Sequence, residues 1–296
     1  MAPSHPNLAQ LAALVFAAVS CVVLGDTAGK LLTGQGIDPV LVAWTRFGLA
    51  ALVLLPFSGL SRAELPNFRD WRVLLRGGLI AGGILSILTA LRTEPIANVF
   101  GAFFVGPVVS YVLAILFLGE TPSRGRSLLL ALGFAGVMLV VKPGFGMTPG
   151  MGFALAAGTF YGAFLATTRA VAGAYRPRFL LISQLLIGTV ILTPLGLGVT
   201  WPAPTLPLAG LVLLSAFGSA LGNYLLVLAN KRAEASLIAP LVYSQLLSAT
   251  VVGVLVFGDW PDAYALAGLV LIAVSGFGSL LAHRRTVACA MGREAG

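Results

Sequence analysis

Long apolar runs alternate with short polar connections along nearly the whole chain. A membrane-spanning helix needs about 20 mostly apolar residues, and ten runs approach that length. The ten predicted segments are 8–32, 39–59, 71–91, 95–118, 123–142, 150–171, 178–200, 206–229, 235–257 and 262–283. The connections hold helix breakers, as in GQGID, WPAPT and GDWP. The pattern therefore predicts an all-α protein with ten helices.

Composition identifies the solvent of these helices as a lipid bilayer. Apolar residues make up 58% of the chain and charged residues only 9%, with a mean hydropathy of +0.98. A soluble domain carries roughly 25% charged residues, because its surface must face water. We therefore predict an integral membrane protein. The first apolar run is longer than that of a signal peptide and follows no Lys or Arg, so we expect it to be retained.

The sequence contains little that would support enzyme chemistry. Its two cysteines are Cys21 and Cys289, its two histidines are His5 and His283, and it has no CxxC, HExxH or GxxxxGK[ST] motif. We expect no enzymatic activity, no cofactor and no bound metal. The net charge of +8 accompanies no soluble basic domain, so we expect lipid and a small molecule as partners, no nucleic acid, and a monomer.

The distribution of Lys and Arg predicts the orientation, because cytoplasmic loops are enriched in these residues. If the N-terminus is cytoplasmic, the connections on that side carry 14 of the 18 basic residues, and those on the other side carry 3. The 14 are Arg62, Arg69, Arg72, Arg76, Arg124, Arg126, Arg169, Arg176, Arg178, Lys231, Arg232, Arg284, Arg285 and Arg293. We expect both termini in the cytoplasm of a cell whose inner membrane holds the protein.

Two hexamers of similar pattern, FLGETP at 117–122 and VFGDWP at 256–261, lie 139 residues apart. The same offset superposes Gly83 on Gly222 and Lys30 on Arg169, without a gap. We predict a first repeat at 1–147, a second at 148–285 and a cytoplasmic tail at 286–296. Each repeat holds five helices, an odd number, so the two repeats have inverted topology, as in many secondary transporters.

Several stretches resemble the EamA-type family of the drug/metabolite transporter superfamily. They are GPVVSYVLAILFLGETPSRGRSLLLALGFAGVMLVV, APLVYSQLLSATVVGVLVFGDWPDAYALAGLVLIAVSG, GDTAGKLL and PVLVAWTRFGLAAL. The resemblance covers about residues 8–283 and implies an exporter of small metabolites, closest to the amino-acid exporters. A nucleotide-sugar or triose-phosphate antiporter of the same superfamily is the alternative, although such dianionic substrates usually need several convergent cations.

One group of candidate residues is charged. Arg46 lies seven residues into the second predicted segment, and Asp26 and Lys30 lie in the outer part of the first. The three form either a structural Asp26–Arg46 pair with Lys30 reaching the lipid headgroups, or a site in which Arg46 or Lys30 attracts a substrate carboxylate. Asp26 is the deepest acid. We expect facilitated export down a gradient, with proton coupling through Asp26 as the alternative.

A second group of candidates is aromatic and polar. Phe100, Phe103, Phe104 and Tyr111 recur at helical spacing around Pro107, which should bend its helix and could serve as a gate. Such a stripe serves either helix packing or a central pocket for a metabolite. The polar side chains that could join that pocket are Asn98, Gln184, Asn223, Tyr224, Tyr243 and Gln245, with Trp44 and Tyr161 as further candidates.

Overall fold

The computed structural model describes residues 8–94, 96–121, 124–141, 148–258, 260, 262–264, 266–275 and 278. In these residues all regular secondary structure is helical. The helices are α1 (Leu8–Gly34), α2 (Pro39–Leu54), α3 (Trp71–Thr93), α4 (Ile96–Phe103), α5 (Val105–Leu118), α6 (Arg124–Val141), α7 (Pro149–Val171), α8 (Pro177–Gly196), α9 (Leu206–Arg232), α10 (Ala235–Val242), α11 (Gln245–Val252) and α12 (Leu266–Ser275). A 3-10 helix, Arg62–Arg69, precedes α3, and a π-helical turn, Gly253–Phe257, extends α11.

Seven helical segments among the described residues are long and apolar enough to cross a bilayer. They are Leu8–Gly34, Trp71–Thr93, Val99–Leu118, Pro149–Val171, Pro177–Gly196, Leu206–Arg232 and Leu237–Phe257. Three shorter apolar helices, Pro39–Leu54, Ser127–Leu139 and Leu266–Ser275, coincide with the remaining predicted segments. The second segment, predicted as 39–59, ends five residues earlier as a helix.

The helix starts follow from local sequence. The side chains of Asp38, Asp70, Thr148 and Thr205 each accept a hydrogen bond from a backbone N–H in the first turn of the helix that follows. Such side chains satisfy donors that have no partner within the helix. Proline begins α2, α7 and α8, where its missing N–H costs nothing.

Two of the predicted segments are interrupted near their middle. The first is divided between α4 and α5 at Phe104, three residues before Pro107. Proline has no N–H to donate to the carbonyl four residues earlier, which is that of Phe103. This carbonyl instead lies against α7, so close that a Cβ on Gly158 would overlap it. The predicted bend at Pro107 is thus present as a break, although nothing here tests its role as a gate.

The second interruption lies between α10 and α11, at Tyr243 and Ser244. Tyr243 follows Phe104 by 139 residues, and the same offset carries the bounds of α4 onto those of α10. The two glycines of the hexamers also correspond: Gly119 and Gly258 both end their helices in the left-handed region, with φ of 66° and 73°. The offset read from the sequence is therefore also a correspondence of backbone structure.

The two halves of the chain interlock. The most extensive helix contacts join α1 to α9 and α3 to α7, and the offset exchanges these two pairs. In both pairs a helix from one half packs along a helix from the other. Glycine permits the approach: a Cβ on Gly222 would lie 2.6 Å from the carbonyl oxygen of Ala18. Each half therefore completes its core with helices of the other.

Polar contacts join the connections α2–α3 and α7–α8. Arg176 donates two hydrogen bonds to the carboxylate of Glu64, and the hydroxyl of Tyr175 donates one to Asp70 at 2.7 Å. The hydrogen bonds from Arg176 lower the pKa of Glu64 to about 2 and raise that of Arg176. The bond from Tyr175 lowers the pKa of Asp70. These contacts form a second link between the halves, at one end of the bundle.

The acid of the first hexamer also reaches the other half. A carboxylate oxygen of Glu120 accepts a hydrogen bond from the backbone N–H of Ala235, the first residue of α10, at 3.0 Å. The Nε of Arg169 lies 3.7 Å from the same oxygen. The FLGETP stretch thus ends α5 and contacts the start of α10.

Candidate functional site

Arg46 lies on α2, is 2% exposed, and has several partners in the protein. It forms an ion pair with the buried carboxylate of Asp26 at 2.8 Å. It also donates hydrogen bonds to the carbonyl oxygen of Gly25 at 2.8 Å and to the hydroxyl of Ser215 at 2.9 and 3.0 Å. The structure therefore contains the Asp26–Arg46 pair that the sequence suggested, and the pair links α1 and α2 to α9.

Arg76 is a second buried arginine, and sequence reasoning missed its environment. The orientation argument counted it among the loop charges, but it lies within α3 and is 0% exposed. That assignment is wrong, because the helix buries this side chain against α7 and α8. It donates to the hydroxyl of Thr168 at 2.8 Å, the carbonyl oxygen of Leu180 at 2.6 Å and the amide oxygen of Gln184 at 2.6 Å.

The environment of Arg76 contains no counterion that the described residues supply. All three hydrogen-bond acceptors are neutral, and the described part of the chain places no carboxylate within ion-pairing distance. The guanidinium carbon lies 4.8 Å from the centre of the Phe164 ring, in a cation–π contact. The positive charge of Arg76 is buried and solvated only by dipoles and a π face.

The two arginines occupy corresponding positions of the two halves. Arg76 precedes Ser215, the partner of Arg46, by 139 residues. In one half the arginine stands on the second helix and the hydroxyl on the third, and in the other half the arginine stands on the third. The offset carries Asp26 onto Leu165. The carboxylate that neutralises Arg46 is thus replaced by an apolar side chain near Arg76.

Six aromatic side chains form one buried cluster, which we call the aromatic cluster: Phe100, Phe103, Phe104, Tyr161, Phe164 and Tyr243. Tyr161 contacts Phe103 with ring centres 5.0 Å apart. Phe104 contacts Tyr243 with ring centres 5.7 Å apart, so the residues at the two helix breaks touch each other. The cluster therefore lies where the corresponding breaks of the two halves meet.

Several polar atoms in this interior have no hydrogen-bond partner among the described residues. They are the hydroxyls of Tyr161 and Tyr243, both amide atoms of Gln245, and the side-chain carbonyl oxygens of Asn223 and Asn230. Burying such a group without a partner costs about 1–3 kcal/mol, and these groups are rare in folded proteins. Unlike the others, Asn230 was not a candidate from the sequence. It lies near the end of α9 and its side chain was not distinguishable there.

Other candidates lie elsewhere or have partners. Trp44 donates to Thr193 at 3.1 Å and contacts Trp201, between α2 and α8. The hydroxyl of Tyr111 is bonded to Ser127 at 2.7 Å.

Tyr224 lines a groove of about 460 Å³ between α2, α8 and α9, which opens to the outside beside Arg178. Gln184 holds Arg76. The side chain of Asn98 and the tail at 286–296 lie outside the described residues.

Lys30 and its counterpart Arg169 make corresponding contacts. Lys30 donates to the carbonyl oxygen of Leu91 at 3.4 Å, and Arg169 donates to that of Asn230 at 3.0 Å. Each cation thus lies at the carbonyl end of the helix from the other pair, where the helix dipole favours positive charge. This contact accounts for both side chains without a substrate.

The described residues contain no group of three His, Cys, Asp or Glu side chains that could hold a metal ion. Their interior offers aromatic rings, hydroxyls, amides and two arginines. Within a multi-pass helical bundle of interlocked halves, that chemistry suits a protein that binds and moves a small molecule. The class is a membrane transporter.

Comparison with known proteins agrees with this class and narrows it. The EamA-like transporter family matches residues 9–142 and again residues 148–281. The chain belongs to this family, within the drug/metabolite transporter superfamily, and it is a small-molecule transporter and not an enzyme.

Three similarities give the range of relatives. The chain is 28% identical to a riboflavin transporter of Rhizobium johnstonii, over 90% of each chain. It is 29% identical to an S-adenosylmethionine uptake transporter of Rickettsia bellii, over 83% of this chain and 85% of that protein. A crystal structure at 18% identity superposes with a TM-score of 0.74 and covers 96% of this chain, which shows the fold alone.

Proposed function

We propose that the protein carries an aromatic, hydrogen-bonding metabolite of the flavin type across the cell membrane by alternating access. One observation carries the substrate class. Two tyrosine hydroxyls, those of Tyr161 and Tyr243, are buried in the aromatic cluster without a partner. Aromatic walls suit a planar ring, and the unpaired hydroxyls would be satisfied by its carbonyl and nitrogen atoms.

The relatives support a substrate of this kind. The flavin ring is planar and bears several hydrogen-bonding atoms, and one relative is named for riboflavin. Export of amino acids, expected from the resemblance, has less support, because the relatives described above are named for riboflavin and S-adenosylmethionine. A phosphate-linked antiporter has the least, because neither buried arginine has a second cation beside it in the contacts described above.

Alternating access follows from the two halves, taken as inverted repeats of five crossings each. The three shorter helices, α2, α6 and α12, then cross the membrane as the other segments do. The contacts are unequal in a way that supports two states: α10 packs against α5, whereas their counterparts α4 and α11 make at most marginal contact in the described residues. In the second state the closed and open pairs exchange.

The orientation remains as the charges predict. With both termini in the cytoplasm, the links of Arg176 to Glu64 and of Glu120 to Ala235 lie on the cytoplasmic side, where α5 and α10 are closed. This would leave the structure open toward the outside.

The test is flux into and out of proteoliposomes that contain the purified protein. Riboflavin, S-adenosylmethionine and a panel of amino acids are each measured with and without a pH gradient, against empty vesicles. We expect saturable riboflavin flux, reduced at least several-fold by Tyr161→Phe or Tyr243→Phe. Tyr111→Phe is the matched control, because that hydroxyl is already bonded within the protein. Flux of amino acids alone would overturn the flavin assignment, and dependence on the pH gradient would favour proton coupling.

A further inference from the structure

We propose that Arg76 sets the charge preference of the aromatic cluster, so that neutral and anionic aromatic molecules bind there in preference to cationic molecules of the same shape. The inference rests on the proposed function in taking the aromatic cluster as the substrate site. It goes further by assigning a charge class to the substrate and by naming a residue that never has to touch it.

The first step is the position of the charge. The Arg76 guanidinium lies 4.8 Å from the Phe164 ring centre, and that ring lies 6.2 Å from the ring of Tyr161. Phe164 therefore separates the guanidinium from a partnerless hydroxyl of the cluster. A ligand against Tyr161 would lie one aromatic layer from a positive charge.

The second step is the absence of neutralisation. Arg76 is fully buried, so water does not screen it, and its bonded partners are all neutral. Arg46 is equally buried, but its ion pair with Asp26 at 2.8 Å makes that position neutral as a whole. Since the offset places Leu165 where Asp26 would be, the half that contains Arg76 keeps a full positive charge.

The third step is the size of the effect. At an effective dielectric constant of about 20, a unit charge roughly 10 Å away changes the binding of another unit charge by on the order of tenfold. No direct contact is needed. We therefore expect Arg76 to act as a positioning and selectivity residue, which repels an ammonium or sulfonium group and attracts a carboxylate or phosphate.

The experiment uses three probes of one shape and different charge: 1-naphthoate, 1-naphthylmethanol and 1-naphthylmethylammonium. Their apparent affinities for the purified full-length protein are obtained from the ligand-dependent rise in melting temperature. For the unaltered protein we expect the carboxylate to bind roughly tenfold more tightly than the ammonium, with the alcohol between them.

Two variants change the charge in opposite ways. Arg76→Gln removes it, and Leu165→Asp leaves Arg76 in place but adds a carboxylate at the position that corresponds to Asp26. Both should bring the ratio of affinities close to one, whereas Arg76→Lys should keep the preference. Arg178→Gln is the control, because it removes an exposed arginine from the start of α8. A purely structural role of Arg76 would lower stability in the Gln variant without changing the ratio.

Each outcome decides the proposal. It is overturned if the unaltered protein binds the carboxylate and the ammonium equally, if no probe stabilises it, or if the preference survives in both Arg76→Gln and Leu165→Asp. Riboflavin flux is measured on the same preparations. A preference that follows Arg76 without riboflavin flux would reject the flavin assignment and retain the charge class, and flux without the preference would reject the charge class alone.

Discussion

The two buried arginines show how one repeated architecture can hold the same residue type in two electrostatic environments. Arg46 and Arg76 both connect the halves, and both donate to a hydroxyl: that of Ser215 for Arg46 and that of Thr168 for Arg76. They differ in a single respect that matters for energy. Arg46 has the Asp26 carboxylate at 2.8 Å, and Arg76 has only neutral partners.

This difference teaches that buried charge in a bilayer has two distinct uses. A compensated pair tethers helices and is silent at a distance, because its field largely cancels. An uncompensated arginine is costly, and residues of that kind inside membranes are usually functional. The comparison can be tested by removing one member of each set at a time.

The largest effect is expected from Arg46→Met. The substitution leaves the carboxylate of Asp26 buried without a cation, which costs about 3–5 kcal/mol. Adding Asp26→Leu should recover a large part of that loss, because the stranded charge is then removed as well. Unfolding in mixed detergent micelles measures both. A double variant less stable than the single one would contradict the compensation on which the comparison depends.

Arg76→Met should cost less, about 1–3 kcal/mol. It removes three hydrogen bonds but strands no opposite charge. The same detergent titration checks this, with the Arg46→Met protein beside it. If Arg76→Met were the more destabilising of the two, Arg76 would have to have a counterion after all.

The contacts between the halves provide a second comparison, between the corresponding glycines Gly222 and Gly83. A Cβ on Gly222 would lie 2.6 Å from the Ala18 carbonyl oxygen, whereas one on Gly83 would meet its nearest atom at 3.5 Å. We expect Gly222→Ala to cost about 1–3 kcal/mol through overpacking. Gly83→Ala should be neutral or stabilising by up to about 1 kcal/mol, because alanine favours the helix. Melting temperatures of the two variants, compared directly, decide the order.

The smallest effect is expected at the exposed link between Arg176 and Glu64. Arg176→Gln should cost no more than about 1 kcal/mol, since partly exposed ion pairs contribute little. Glu64 has its pKa lowered from about 4.5 to about 2, so this stabilisation is present above pH 4.5 and lost as the pH falls toward 2. The difference in melting temperature between the unaltered protein and the variant should shrink over that range. A difference that stays constant with pH would exclude the carboxylate as the source.

Much of the fold could be predicted because a bilayer imposes simple rules on sequence. The apolar runs located every described helix, and FLGETP and VFGDWP revealed the offset that the backbone follows. The ion pair of Asp26 and Arg46 was also accessible, since both residues stand out in apolar segments. Tyr161 and Tyr243 were recognised as candidates only by type, and the sequence gave no reason to separate them from Trp44 or Tyr224.

By itself, the sequence determined which segments are helical and which solvent surrounds them, because hydrophobicity and helix breakers act locally. Only the tertiary structure decided which polar side chains have partners. Arg76 lies five residues after Trp71, where a helix end exposed to water was equally compatible with the pattern. Its burial depends on α7 and α8, which come about 90 residues later in the chain. The energy of a buried charge is set by whatever stands next to it, and that neighbourhood exists only after the two halves interlock.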